Sequence, residues 1–316
     1  MNRTTPAPHW LNACLAGPTE AIAVDTAATW LGHWATLCAQ GGTPFELAVH
    51  GGLQADRLAW AFASGHQAAI RALLPAVGPH EVVAFCLTEP TGNRPRDLQS
   101  TAMATVDGHW LLNGEKRWAT LGPVATHLLV VCRQADAAGT APALRVARIA
   151  TGVSGLQIEP MPATRFVPEL PHAAVQLHGI RLSDADWLPG DGWDGYGKPF
   201  RTLEDLFIAA AILALLVREA RAHAWPGDFA QRAVATLLAC QGLADQPADA
   251  PATHVALAGV LAQAQALYAE AAALWSAGPV TAAGERWLRD AKLLGLSAGT
   301  QAQRTARAWQ RLAAPA

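Results

Sequence analysis

Charge is scarce in this chain. Asp, Glu, Lys and Arg make up 15% of its 316 residues, only three of them are lysines, and the net charge at pH 7 is −2. Nucleic acids and anionic membranes both select for concentrated Lys and Arg, so neither is expected as a partner. Long apolar runs are also missing. The longest, Leu206 to Val217, is well short of the ~20 residues that span a bilayer. It reads as a buried core helix, and membrane insertion is not expected. The stretch Met1 to His9 has one Arg and no apolar h-region, so no secretory leader is read and a cytoplasmic location is expected. Paired cysteines are absent too. Cys14, Cys38, Cys86, Cys132 and Cys240 are scattered, odd in number and form no CxxC. A zinc site needs clustered ligands and a secreted scaffold usually an even set, so reduced thiols and no metal site are expected.

What is present is a well-packed globular composition, 51% apolar, in a chain long enough for two or three domains. Three textures follow one another. Residues 1–80 are rich in Ala and Leu at helical spacing: Trp30, Leu31 and Trp34, then Leu37 and Cys38, and again Leu58, Ala61, Phe62 and Ile70, with Pro75 and Gly78 ending the pattern. Between 81 and 190 the period changes. Val82–Leu87, Thr101–Val106, His109–Leu112, His127–Cys132, Leu144–Ile149 and Ala173–Leu177 are short and mostly carry β-branched residues. Asp107–Gly108 predicts a hairpin turn needing φ > 0, and Asn113–Gly114 a second tight turn. Strands so short and evenly spaced predict a small antiparallel barrel or sandwich. From about 191 to 316 helix returns: Thr202 to Ala222, then a break at Pro226–Gly227, a polar connector from Gln241 to Pro251, and helices at His254 to Trp275 and Ala282 to Leu312. The order is helices, sheet, helices, an α+β class.

The run Ala84-Phe85-Cys86-Leu87-Thr88-Glu89-Pro90, followed by Leu111-Leu112-Asn113-Gly114-Glu115-Lys116-Arg117-Trp118-Ala119-Thr120, carries the most chemistry. Taken alone it is ordinary sheet core, or it is the wall of a flavin site. A flavin ring needs an apolar surface and hydrogen-bond partners at its polar edges, which Thr hydroxyls, strand backbone and an indole supply. The run resembles the signature of the acyl-CoA dehydrogenase superfamily, Leu-Thr-Glu-Pro then Leu-Asn-Gly-x-Lys-x-Trp-Ile-Thr. Ala173 to Trp193, with its Leu-Pro-Gly-Asp-Gly-Trp ending, and Thr202-Leu203-Glu204-Asp205 at the mouth of an Ala-rich helix are further matches. The resemblance implies an N-terminal helical domain (1–80), a middle antiparallel β-barrel (81–190) and a C-terminal helical bundle (191–316), both helical parts shortened. It implies FAD, an acyl-CoA or related thioester as substrate, a flavin electron acceptor as partner and a homo- or hetero-oligomer. By position, Phe85, Leu87 and Thr88 line the flavin from one strand and Trp118 and Thr120 from another, Thr120 being the hydroxyl nearest N5.

The departures from the family pattern are as specific as the matches. The loop after Thr-Glu-Pro, usually Gly-Ala-Gly-Ser-Asp, reads Thr91-Gly92-Asn93-Arg94-Pro95. Glycines let backbone N–H groups approach phosphate. Here Arg94 either replaces them with a charged fork or is a solvated loop residue. Asp205 stands where the family has Arg, and no Arg-x-x-Phe-Gly segment follows. The C-terminal catalytic Glu of a Tyr-Glu-Gly-Thr segment is missing, whether Ser297-Ala298-Gly299-Thr300 is its counterpart or Ala291-Lys292-Leu293 opens a last, penultimate helix. The second alignment fits the helix spacing better. The remaining candidate for the base is Glu204, in a Leu-Glu segment like that of members resembling isovaleryl-CoA dehydrogenase; otherwise Glu204 is a first-turn helix acid favoured by the dipole. Three readings follow: a flavin-dependent acyl-thioester oxidoreductase with Glu204 as base, a degenerate scaffold or partner subunit of a hetero-oligomer, or a flavin monooxygenase on the same fold.

Overall fold

The computed structural model describes residues 9–135 and 143–314; the expectation placed on the first eight residues lies outside them. The chain divides into two compact units. One gathers residues up to Ala72, Arg165–Val167, and Thr202 onward; the other comprises Leu73–Thr164 and Pro168–Arg201.

The helical unit begins with α1 (His9–Ala16), α2 (Ala27–Ala39), α3 (Pro44–Gln54) and α4 (Leu58–Leu73). Helix α3 starts where its sequence says it should. Thr43 and Glu46 form a reciprocal capping box, and Pro44 occupies the first turn, where its missing N–H costs nothing. Three indoles fill the space between these helices, Trp30 stacking on Trp34 at 5.6 Å and on Trp60 at 6.2 Å. The C-terminal half follows as α5 (Lys198–Ala222), α6 (Gly227–Ala244), α7 (Pro251–Ala277), α8 (Ala282–Asp290) and α9 (Ala298–Ala313). From Leu206 to Ala220 every residue of α5 is buried, so it is the core helix that its apolar run predicts. Two glycines set its spacing from α3 and α4. A Cβ on Gly52 would strike the Ala211 carbonyl, and one on Gly65 would lie 2.6 Å from Ile208 Cα. Buried Arg218 of α5 donates to the Leu53 carbonyl at 2.8 Å and to that of Ala55, a cation at the carbonyl end of α3. Helix α7 is long and apolar enough to cross a bilayer; here Leu257, Leu261, Leu267 and Trp275 are buried in the unit.

The sheet unit has seven strands: β1 (Val83–Cys86), β2 (Thr101–Ala104), β3 (Trp110–Thr120), β4 (His127–Ala135), β5 (Ala143–Ala150), β6 (Leu156–Pro160) and β7 (His172–Leu182). Strand β4 is the hub. Its first half pairs with β1 and its second half with β2, both parallel, while β5 runs antiparallel along its other edge. From β2 the sheet continues antiparallel through β3 and β7 to β6. The expected antiparallel barrel is corrected on two points: the sheet is mixed, and no pairing among the described residues closes it. Alternation of side chains sends Ala84, Cys86, Leu112, Val130, Val175 and Leu177, among others, into one core.

Local readings fare unevenly. Asp107–Gly108 makes the hairpin, with Thr105 N–H donating to the His109 carbonyl at 2.8 Å and Gly108 at φ 78°. Asn113–Gly114 does not turn. It lies inside β3 at a bulge opposite β7, with Gly114 at φ 147° against Ser100 and Asn113 Oδ1 accepting from Gly179 N–H at 2.8 Å. Strand β6 has no counterpart among the expected strands. The single helix expected from Ala282 to Leu312 is two, because Ala291–Gly295 tightens to 3-10 geometry. That segment closes α8 rather than opening a helix, and α9 follows it. All five cysteines are free and buried; burial pushes the thiols of Cys14, Cys86, Cys132 and Cys240 up to about 12, which leaves them inert as nucleophiles.

Candidate functional site

The motif strands meet at the end of β1. Arg117 N–H of β3 donates to the Thr88 carbonyl at 2.8 Å, which sets Thr88 beside the Arg117–Trp118 step. A second β3–β7 irregularity falls between Lys116 and Ala119. Within it Trp118 sits at φ 58°, and Leu121 follows at φ 60°. A bulky residue in the left-handed region costs about 1–2 kcal/mol. What the distortion achieves is visible in the burial: Lys116 and Ala119 turn inward, while the Trp118 indole is 50% exposed, its edge steadied by His172 at 5.7 Å. Two residues on, half-buried Thr120 pairs with His172 in the β3–β7 register. The hydroxyls of Thr88 and Thr120 have no hydrogen-bond partner among the described residues. The strand end thus carries a half-exposed indole and two threonine hydroxyls without a partner among the described residues.

Phe85 and Leu87 are placed differently. Both are buried. Phe85 points away from the core that takes Ala84 and Cys86, and its ring stacks on Phe200 at 4.3 Å. They form the backing of the strand end rather than an open face.

Glu89 is the residue whose importance the motif hides. Its carboxylate meets Lys116 Nζ at 2.6 Å and accepts the backbone N–H groups of Gln99 at 2.5 Å and Ser100 at 3.1 Å. Lys116 also donates to the Val131 carbonyl at 2.5 Å. Burial alone would raise the Glu89 carboxyl; the Lys116 charge and the hydrogen bonds outweigh it and hold the group below its usual value. The Glu of Thr-Glu-Pro and the Lys of Asn-Gly-x-Lys are thus one buried ion pair that fastens β1 and the following loop to β3 and β4. A Glu–Lys pair standing 27 positions apart in two motifs of a lysine-poor chain was the available signal.

The loop itself is already satisfied. Glu89 and Gly92 exchange backbone hydrogen bonds at 2.8 and 3.0 Å. The Asp97 carboxylate accepts Arg94 N–H at 3.1 Å, and a Cβ on Gly92 would lie 2.6 Å from the same oxygen. Arg133 pins the far side through the Leu98 and Pro95 carbonyls, and Arg201 holds the Asn93 carbonyl. The Asp97 carboxylate therefore fills the inside of the loop. The Arg94 guanidinium is exposed and has no partner among the described residues.

Glu204 belongs to the helical unit. It stands in the second turn of α5, its side chain 31% exposed, with Oε1 2.8 Å from Nδ1 of His66 on α4. The neighbouring carboxylate is fully engaged: Asp205 accepts from Gln301 at 2.9 Å and Arg304 at 2.6 Å, both on α9. Burial raises the Asp205 carboxyl, with Arg304 opposing. Ala298, which the first of the two alignments sets against the missing C-terminal Glu, is the exposed first residue of α9.

Residues 84–180 match the acyl-CoA dehydrogenase middle domain. Benzylmalonyl-CoA dehydrogenase of Aromatoleum aromaticum is 29% identical over 150 residues, 48% of this chain and 39% of that protein, so the match spans about two-fifths of the curated relative. Among solved structures, butyryl-CoA dehydrogenase of Megasphaera elsdenii superposes with a TM-score of 0.62 at 16% identity, covering 91% of each chain. Glutaryl-CoA dehydrogenase of Mycobacterium smegmatis in complex with FADH2 gives 0.62 at 14% identity over 96% of this chain and 88% of its own. FMN-bound TdsC of Paenibacillus sp. A11-2 gives 0.70 at 15% identity over 91% and 90%.

Proposed function

We propose that this chain, whose residues 84–180 match the acyl-CoA dehydrogenase middle domain, is a flavin-dependent oxidoreductase acting on an acyl thioester, with FAD as cofactor and Glu204 as the base. The observation that carries the reading is the Trp118 indole. A large aromatic ring held half in solvent at φ 58°, on the strand that also carries Thr120 and beside the backbone of Thr88, supports a surface for a flat ring. In this reading the zones at 1–80, 81–190 and 191–316 serve as the N-terminal helical, flavin-binding and C-terminal helical regions.

The residues fit the two halves of the cofactor unequally. Trp118 would cover a face of the ring, Thr88 and Thr120 would serve its polar edge, and Phe85 and Leu87 would back the strand that presents it. The loop from Thr91 to Asp97 is closed by its own carboxylate, so charge for the phosphates falls to Arg94. When bound, the flavin supplies the hydride acceptor. Glu204 takes the proton from the carbon next to the thioester carbonyl; that C–H bond breaks, hydride leaves the adjacent carbon, and the electron pair becomes the new C=C. Only one Glu204 oxygen is spent on His66, which leaves Oε2 to receive the proton.

Absorbance of the protein purified without added cofactor tests the first claim: a flavin band is expected, and a colourless preparation that stays colourless on titration with FAD and FMN refutes it. Turnover on acyl-CoAs tests the second, with Glu204→Gln expected to abolish it. A degenerate subunit is the alternative supported by Ala298 and the closed loop, and co-purification with a longer homologous chain would favour it.

A further inference from the structure

We infer that His66 is a positioning residue for Glu204: it holds one carboxylate oxygen and so aims the other. The inference rests on the reading of Glu204 as the base, and three observations carry it. The imidazole Nδ1 is 2.8 Å from Glu204 Oε1 across 138 positions of sequence. An ionised carboxylate only accepts, so Nδ1 carries the proton in this contact. The imidazole cannot swing away, being 3% exposed and flanked by Phe62 in near-parallel orientation at 6.4 Å. Its helix cannot retreat either. Gly65, the residue before it, lets α4 approach α5 so closely that a Cβ there would lie 2.6 Å from Ile208 Cα and 2.7 Å from the Phe207 carbonyl.

The neighbouring carboxylate is the internal control. Asp205 has both oxygens engaged, Oδ1 by Gln301 and Oδ2 by Arg304. Glu204 has one oxygen engaged and the other without a partner among the described residues. A side chain with several rotatable bonds, if left free, would spend much of its time away from any single productive geometry. Fixing one oxygen removes that freedom while keeping an acceptor available. The same histidine–carboxylate contact occurs in triads with the roles exchanged, where the carboxylate orients the imidazole.

The test combines exchange and spectroscopy on the full-length protein as purified, with butyryl-CoA, glutaryl-CoA and 3-phenylpropionyl-CoA as probes. Exchange of the proton next to the thioester carbonyl with D2O reports the base alone. His66→Ala is expected to slow exchange and kcat roughly ten- to a hundredfold, part of the roughly 10²–10⁴-fold a general base supplies, with KM little changed. His66→Asn, whose amide N–H takes the place of Nδ1–H, restores the rate to within a few-fold. Ring 15N spectra need neither substrate nor cofactor: the His66 Nδ1 resonance is expected as a protonated, hydrogen-bonded nitrogen that shifts in Glu204→Gln. Full activity in His66→Ala with Glu204→Gln inactive overturns the positioning role and leaves the base assignment standing. Activity unchanged in Glu204→Gln, or no exchange on any probe by the wild type, overturns the base assignment and the positioning role with it. A His66 resonance indifferent to Glu204→Gln refutes the contact directly. Circular dichroism separates an unfolded His66→Ala from an inactive one, and His66→Asn keeps the role falsifiable in that case.

Discussion

Glu89 and Glu204 are both motif carboxylates beside a basic partner, yet their surroundings oppose them. Glu89 is 2% exposed against a fully buried Lys116 and also accepts two backbone N–H groups. Glu204 is 31% exposed and has one hydrogen-bond partner among the described residues, His66. A carboxylate whose acceptor capacity is used up holds a fold together and has nothing left for a substrate. One with a single oxygen restrained has both direction and a vacancy. What separates the two carboxylates is their unspent lone pairs, not their residue type.

Substitution at the two sites should therefore separate stability from activity. Lys116→Met leaves Glu89 charged and buried without its partner and should cost about 3–5 kcal/mol of folding stability by urea denaturation; pairing it with Glu89→Gln should recover a large part. Glu204→Gln should change stability by no more than about 1 kcal/mol, while lowering turnover roughly 10²–10⁴-fold. If the costs came out the other way, the comparison would fail. Trp118→Gly probes the exposed wall. Glycine tolerates φ 58°, so the flavin-free fold should gain up to ~1 kcal/mol as flavin affinity, read by fluorescence titration, falls about tenfold. A parallel loss of both would mean that the indole packs rather than binds.

The acid side sharpens the contrast further. The folded Glu89 carboxyl lies below its ordinary value of 4.5 because Lys116 and the loop N–H groups overcome the effect of burial. Its contribution is present in full above that value and is lost as pH falls through the lower folded value. Glu89→Gln should flatten the pH dependence of stability below about 4.5, measured against wild type. The smallest effect is expected at the loop. Asp97→Asn keeps an acceptor for Arg94 N–H and removes a negative charge from the concavity, so FAD affinity should rise only a few-fold, about 0.5–1 kcal/mol.

Much of the fold was legible because its signals are local. The Asp107–Gly108 hairpin, the capping box at Thr43 and the apolar run of α5 each depend on neighbours within a few residues. The open, mixed sheet was not, since β4 pairs with β1, β2 and β5, and strand partners leave no mark in alternation. Asn113–Gly114 has turn chemistry, but β3 continues through it because Leu112 before it pairs with Ile180 of β7 and Ala102 of β2, and Gly114 itself pairs with Leu177 of β7. Phe85 reads equally well as core or wall from its strand, and the Phe200 ring that stacks on it is 115 positions later in sequence number.

The sequence by itself carried the resemblance to the acyl-CoA dehydrogenase superfamily and the strand that bears Trp118 and Thr120, because those residues sit in contiguous motifs whose spacing is the signal. Only the tertiary structure decided which acids are spent. Lys116 consumes Glu89 across 27 positions, Arg304 consumes Asp205 across 99, and His66 takes half of Glu204 across 138. Hydrogen-bond capacity is settled by what packing brings within 3 Å, and no periodicity along the chain records it.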